Sequence, residues 1–154
     1  VELSCFFGVP TQTNDTFPSS VGATELSIAG GARVIGGADS GTYDLSSTTA
    51  SLSGNPNDGD VTISITIGGT RLSGLAGQPQ PEINFGTFDG SGSVSITDTS
   101  FGGSLASNDL SGVVANFEGW FFGPQALETG ITFSADGVRT DGSRVIVTGT
   151  ILAR

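Results

Sequence analysis

Apolar and polar residues alternate along most of this chain, and the alternation has the period of a β-strand. The clearest run places Val61, Ile63, Ile65 and Ile67 on one face and Thr62, Ser64 and Thr66 on the other, between Asp60 and Gly68-Gly69. Val94-Ser95-Ile96-Thr97 repeats the pattern after Gly90-Ser91-Gly92. The same reading predicts strands over Ala23–Ala29, Gly41–Ser47, Thr49–Ser53, Leu72–Leu75, Phe101–Leu105, Leu110–Glu118, Gly130–Ala135 and Arg144–Leu152. Helical periodicity is nearly absent. The expectation is eight to ten short strands at hairpin spacing, closed into a barrel or a sandwich.

Turn chemistry supports the hairpins. Asn55-Pro56-Asn57-Asp58-Gly59, Asp89-Gly90, Asp136-Gly137 and Asp141-Gly142 supply residues tolerant of positive φ. Gln78-Pro79-Gln80-Pro81 reads as a connecting loop, because proline cannot donate to a central ladder. Residues 1–20 carry Pro10 and Pro18 and few periodic positions. They read as an N-terminal arm draped over a single barrel domain spanning 21–154, rather than pairing within it.

One stretch breaks the strand pattern, Gly119-Trp120-Phe121-Phe122-Gly123-Pro124-Gln125-Ala126-Leu127-Glu128-Thr129-Gly130. Gly123-Pro124 ends a strand, and Pro124 suits the first position of a helical turn. Gln125–Glu128 is long enough for that one turn, and Gly130 can end it. Phe121, Phe122 and Leu127 are then expected to seal one end of the barrel.

Composition narrows the chemistry. The chain has 154 residues, with 25 glycines, 36% apolar and only 13% charged residues. Sparse charge and ten phenylalanines argue for a folded core rather than an acidic disordered chain. The net charge is −10, and all five basic residues are arginines. Such a chain repels phosphate backbones and anionic lipid. With no histidine, a His-based triad, a His-ligated zinc and a His-ligated haem are excluded. The single Cys5 has no partner for an internal disulfide and reads as a small buried thiol. No stretch approaches the ~20 apolar residues of a spanning helix.

The remaining chemical candidates each have a plainer reading. Without His or Met, haem could be ligated only by Tyr43 or Cys5. Tyr43 lies in a strand-like run, so a wall position is the better reading. Asp39-Ser40-Gly41-Thr42 matches the aspartic-protease triplet, but that chemistry needs two aspartates sharing a proton. A turn fits better. Glu118 and Glu128 flank the aromatic stretch and are candidates for a glycosidase pair. The alternative holds Glu128 on backbone N–H groups or on Arg139 or Arg144. Asn55–Asp60 offers oxygen ligands for Ca²⁺ but lacks the bidentate Glu of an EF-hand loop. Asn14-Asp15-Thr16 fits a glycosylation sequon. No catalytic residue, metal site or cofactor is assigned.

Phe122-Gly123-Pro124-Gln125-Ala126-Leu127-Glu128-Thr129-Gly130, followed by Phe133, is similar to the F-[FY]-G-P-x-A-x-E-x-G-G-x-F signature of transferrin-binding-protein-like β-barrel domains of Gram-negative surface lipoproteins. Asp141-Gly142-Ser143-Arg144 and Val147-Thr148-Gly149-Thr150 resemble that family's last hairpin. Gly90-Ser91-Gly92-Ser93-Val94, Leu110-Ser111-Gly112 and the opening Phe7-Gly8-Val9-Pro10-Thr11 also resemble family segments. The likeness is closest over 85–154. It departs at Ile131, where the family usually has a second glycine, and at the bulky Trp120.

The resemblance implies an eight-stranded antiparallel β-barrel whose end is plugged by a one-turn Gly-Pro helix. Trp120, Phe121, Phe122, Gly123, Pro124, Ala126, Glu128, Gly130 and Phe133 would form that structural plug. It implies a noncatalytic module at the outer-membrane surface or secreted, tethered through an upstream lipid anchor, with a protein partner. Family members capture iron proteins, haem, haemoglobin or complement regulators through loops that differ freely. The rival expectation is a structural subunit of an extracellular assembly, or a homo-oligomer, that engages neighbours through residues 1–20.

Overall fold

The computed structural model describes residues 8–12, 21–22, 26–55, 58–72, 80–95 and 99–154. Ten strand segments fill most of them: β1 (Val21–Gly22), β2 (Leu26–Ile35), β3 (Gly41–Asp44), β4 (Thr49–Asn55), β5 (Asp60–Arg71), β6 (Glu82–Ser95), β7 (Ser100–Ala106), β8 (Ser111–Phe122), β9 (Glu128–Val138) and β10 (Arg144–Ala153). β1 and β2 form one stave, because both keep a constant register against β4 and β3. β3 and β4 form the next stave, interrupted at Leu45–Thr48 and paired along β5 on its other side. The result is an eight-stave, up-and-down antiparallel barrel. The β2–β10 pairing closes the ring.

Alternation decides which face looks inward. Val61, Ile63, Ile65 and Ile67 are all buried in one interior cluster with Tyr43, Phe85, Phe88, Phe101, Phe117, Phe121 and Phe133. The hydroxyls between them face outward and bond across strands: Ser53 with Thr62 at 2.8 Å, Ser64 to Asp89 at 2.5 Å and Thr66 with Thr87 at 3.0 Å. The interior is therefore filled by side chains.

That filling works because rings sit on glycines of the neighbouring strand. Phe101 faces Gly119 in register, and a Cβ built on Gly119 would lie 2.3 Å from the ring. Phe133 faces Gly149, where a Cβ would lie 2.5 Å from the ring. Phe117 faces Gly103, and its ring also reaches over Gly90 and Gly92, 3.2 and 3.0 Å from their would-be Cβ atoms. A small barrel narrows toward its axis, so each large side chain needs a small one opposite.

The same glycines explain where the strands run past the expected boundaries. β6 continues through Gly86, Gly90 and Gly92 instead of restarting at Val94. β2 continues through Gly30-Gly31, where Gly30 lets it approach β10: a Cβ there would meet Thr148 O at 2.4 Å. β8 runs through Trp120 to Phe122, so the aromatic stretch is still strand. At the expected strand 72–75, Leu72 is an exposed bend; 73–75 lie outside the described residues, as do Ala23–Glu25.

Gly119→Ala is expected to lower stability by about 1–3 kcal/mol, the range for overpacking a close-packed core. A double-mutant cycle by urea unfolding checks the cause. Phe101→Leu should relieve part of that loss, whereas additive losses would show that the ring is not what Gly119 accommodates.

Candidate functional site

The meander sends successive connections to opposite ends, and the two ends are closed by different physics. The lower end carries the β8–β9 connection and residues 8–12. Gly123 adopts φ 73°, and Pro124–Ala126 forms a single 3-10 turn with Pro124 at its start. Gln125 and Ala126 both have positive φ, so the turn is tighter and more irregular than the helical turn expected. Gly130 does not end it; it lies inside β9, opposite Trp120.

The plug residues separate into two groups. Phe121, Ala126 and Phe133 are buried, with Phe121 against Phe101 at a centroid distance of 4.9 Å. Trp120 and Phe122 are half-buried, while Pro124 and Glu128 are exposed. Leu127 is 63% exposed and does not seal the barrel, because the left-handed turn directs Ala126 inward in its place. Glu128 pairs with Arg154 at 3.3 Å, not with Arg139 or Arg144. The arm also differs from a drape. Pro10 bridges Phe122, Thr11 N–H donates to Phe121 O at 3.1 Å, and Gly123 N–H donates to Val9 O at 3.0 Å.

The upper end gathers the β2–β3 turn, the β7–β8 connection and the β9–β10 turn, and it is polar. Tyr43 is fully buried, edge-on to Phe85 at 5.4 Å, and its hydroxyl donates to Asp39 O at 2.6 Å. The Arg71 guanidinium lies 5.9 Å from the Tyr43 ring centre and donates to Ser40 O. Gly41 makes room for it, since a Cβ there would meet Arg71 Nε at 2.7 Å. Arg139 donates to Asp39 at 2.7 Å and lies 3.8 Å from Asp141, joining two turns.

β7 is shorter than its neighbours, which leaves the first half of β6 without a partner on that side. Side chains take its place: Asp109 accepts from Thr87 N–H and Asn84 accepts from Gly86 N–H, both at 2.8 Å. The gap remains as a cleft of about 190 Å³ lined by Asn84, Phe85, Asp109, Leu110, Arg139 and Thr140. A second, open groove on the outer wall lies among Ser51, Ser53, Thr62, Ser64, Asp89 and Ser91. Its hydroxyls largely satisfy one another, so the upper cleft, with a guanidinium at its rim, is the better-formed site.

The other candidates are not assembled. Tyr43 is a wall residue with its hydroxyl engaged, and burial raises its pKa above 10.0 despite the nearby Arg71. Asp39 faces a guanidinium rather than a second carboxyl. Glu118 and Glu128 project outward from adjacent strands, offset by four residues in register, roughly 13 Å along the strand. That is wider than the ~5–9.5 Å of a glycosidase pair. In the 55–60 turn the Asn55 side-chain N–H₂ donates to Asp58 at 2.6 Å, presenting nitrogen where Ca²⁺ needs oxygen. Among the described residues no group of three His, Cys, Asp or Glu could hold a metal ion. Cys5 and Asn14 lie outside the described residues. The Arg71–Tyr43 contact and the short β7 were missed from sequence, because both depend on strand register.

No model of a known protein family matches the chain, and no curated protein does.

Two outcomes are expected. Tyr43→Phe keeps the ring but strands Asp39 O, costing about 1–3 kcal/mol by thermal or urea unfolding. Hydrogen bonds from Ser46, Arg144 and Ser143 hold Asp44, Asp136 and Asp141 respectively below the ordinary 3.8. With folded values depressed, their stabilisation is complete above that value and is lost as pH falls through it and below. Stability should stay level from neutral pH to about 4 and then drop. Asp136→Asn should flatten part of the drop, and an unchanged acid limb would exclude the Arg144 pair as a contributor.

Proposed function

We propose that this chain is a noncatalytic binding module, displayed on the surface of a Gram-negative bacterium or secreted, that presents its connecting loops on a rigid β-barrel. The filled interior carries the reading. A ring closed on itself and occupied by its own phenylalanines leaves recognition to the outside, and the upper end gathers exposed turns around a guanidinium-rimmed cleft.

The resemblance of Phe122–Gly130 to the transferrin-binding-protein-like signature supports the reading, because here those residues form a scaffold turn away from the cleft. On that likeness the ligand is an iron- or haem-carrying protein or another host protein, and the tether is an upstream lipid anchor at the outer membrane. The reading needs no cofactor and no nucleic acid. A second reading, an assembly subunit working through its N-terminal arm, is favoured by one observation: residues 9–11 already act as an added strand on β8.

The test is surface plasmon resonance of the full chain against iron-loaded transferrin, haemoglobin and haemin. Light scattering and mass spectrometry of the natively isolated protein would identify any other bound species. Substitutions in 107–110 and 139–143 should abolish saturable binding while the barrel stays folded. Phe122→Ala should lower stability by about 1–3 kcal/mol without selectively removing binding. Binding that survives the loop substitutions, or vanishes in a folded Phe122→Ala, would overturn the proposal.

A further inference from the structure

We propose that the edge of β8 at Phe121–Gly123 is a strand-acceptor slot that a second copy of this chain can fill with its own residues 8–12. The inference gives a site to the second reading above and is independent of loop presentation.

The slot exists because β7 stops short at the lower end as well. Its first residue, Ser100, pairs with Trp120, and Phe121 N–H donates to Thr99 O at 3.0 Å. Beyond that point β8 still offers Phe121 O, Gly123 N–H and Gly123 O. All three are met by the arm, through Thr11 N–H, Val9 O and the Thr11 hydroxyl at 2.9 Å. The arm therefore occupies the place of an extended β7. Residues 9–11, held along β8 by main-chain bonds, have the geometry of strand addition.

Gly8 and Pro10 are exposed, Val9 is 74% exposed, and only Thr11 is buried, at 3%. Two features nevertheless select this sequence. Thr11 supplies both a main-chain donor and a hydroxyl. A Cβ at residue 8 would lie 2.9 Å from the Phe122 ring, so a larger side chain there must displace that half-buried ring. The fitting occupant is this arm, whether from the same chain or from another copy.

Connectivity permits the exchange. Gln12 lies in the β7 stave and Val21 opens the β1–β2 stave, four positions around the ring, with eight residues between them. The nine steps from Gln12 to Val21 reach at most about 32 Å when extended. The bonds made within one chain and between two are the same, so concentration decides between them. The charge of −10 on each copy opposes association at low ionic strength, and salt should relieve it.

The experiment adds a fluorescent peptide of residues 6–13 to the full-length chain and to full-length Thr11→Pro, whose arm has lost the donor to Phe121 O. Fluorescence anisotropy should show one-to-one uptake by Thr11→Pro about ten-fold tighter than by the unaltered chain. The same peptide carrying Gly8→Val should not be taken up. Light scattering of the unaltered chain should show a dimer that grows with concentration and salt and is diminished by Thr11→Pro. Absence of uptake, equal uptake of the Gly8→Val peptide, or a monomer at every concentration would overturn the proposal. If Thr11→Pro does not fold, Thr11→Ala loses only the hydroxyl bond to Gly123 O and should shift uptake in the same direction; no shift would equally overturn it. Failure here leaves the loop-binding reading untouched.

Discussion

The structure depends on the seating of phenylalanine rings on cross-strand glycines. Eight staves enclose a space just wide enough for side chains, so each ring must take volume that its neighbour gives up. Phe101 over Gly119 and Phe133 over Gly149 meet that condition in register, and Phe117 does so over several glycines at once. The glycines are costly as strand residues, since they add no packing and lose more backbone entropy than any other type. Burial of whole rings offsets that cost at about 25 cal/mol per Å² of apolar area. The glycines inside the strands at 90, 92, 119 and 149 are therefore a packing requirement of a narrow barrel, whereas those at 36, 59, 112, 123 and 142 supply positive φ in open space.

A core built this way fixes what the ends can do. At the lower end, closure is made by backbone: a left-handed turn puts Ala126 inside, and the arm completes the edge of β8. At the upper end it is made by charge and hydroxyl groups: Arg139 joins the β2–β3 and β9–β10 turns through Asp39, and Arg71 covers Tyr43. Main-chain closure draws on few side chains, chiefly the Thr11 hydroxyl and the space left by Gly8. Ionic closure exposes that chemistry at the rim, where it is open to a partner.

The wall of the barrel was largely legible in the sequence, because period-2 alternation maps directly onto a sheet with one buried face. Val61–Ile67 and Arg144–Leu152 lie inside the observed β5 and β10. Strand ends were less legible at glycines, because Gly30 and Gly90 read locally as breaks yet serve a neighbour that is distant in sequence. Leu127 shows the same limit at the plug. Its hydrophobicity suggested a seal, but the positive φ of Gln125 and Ala126, which no local rule assigns to those residues, turned it outward. The upper cleft was not legible at all. It arises from the length of β7 relative to β6 and β8, a property of register and not of any motif.

Charge distribution distinguishes the two ends further. Arg139, Arg144 and Arg154 are in ion pairs with Asp39, Asp136 and Glu128, and Arg71 is spent on Ser40 O and the Tyr43 ring. Asp109 and Asp89 instead accept from a backbone N–H and a hydroxyl. Since the acidic excess resides on such partly exposed groups, the field outside the barrel is negative, while Arg71 and Arg139 serve closure of the upper end. A partner approaching the upper cleft meets Asp109, Asp39 and Asp141 around a single guanidinium. Such a rim is complementary to donors and positive charge and repels a free anion despite the arginine it carries.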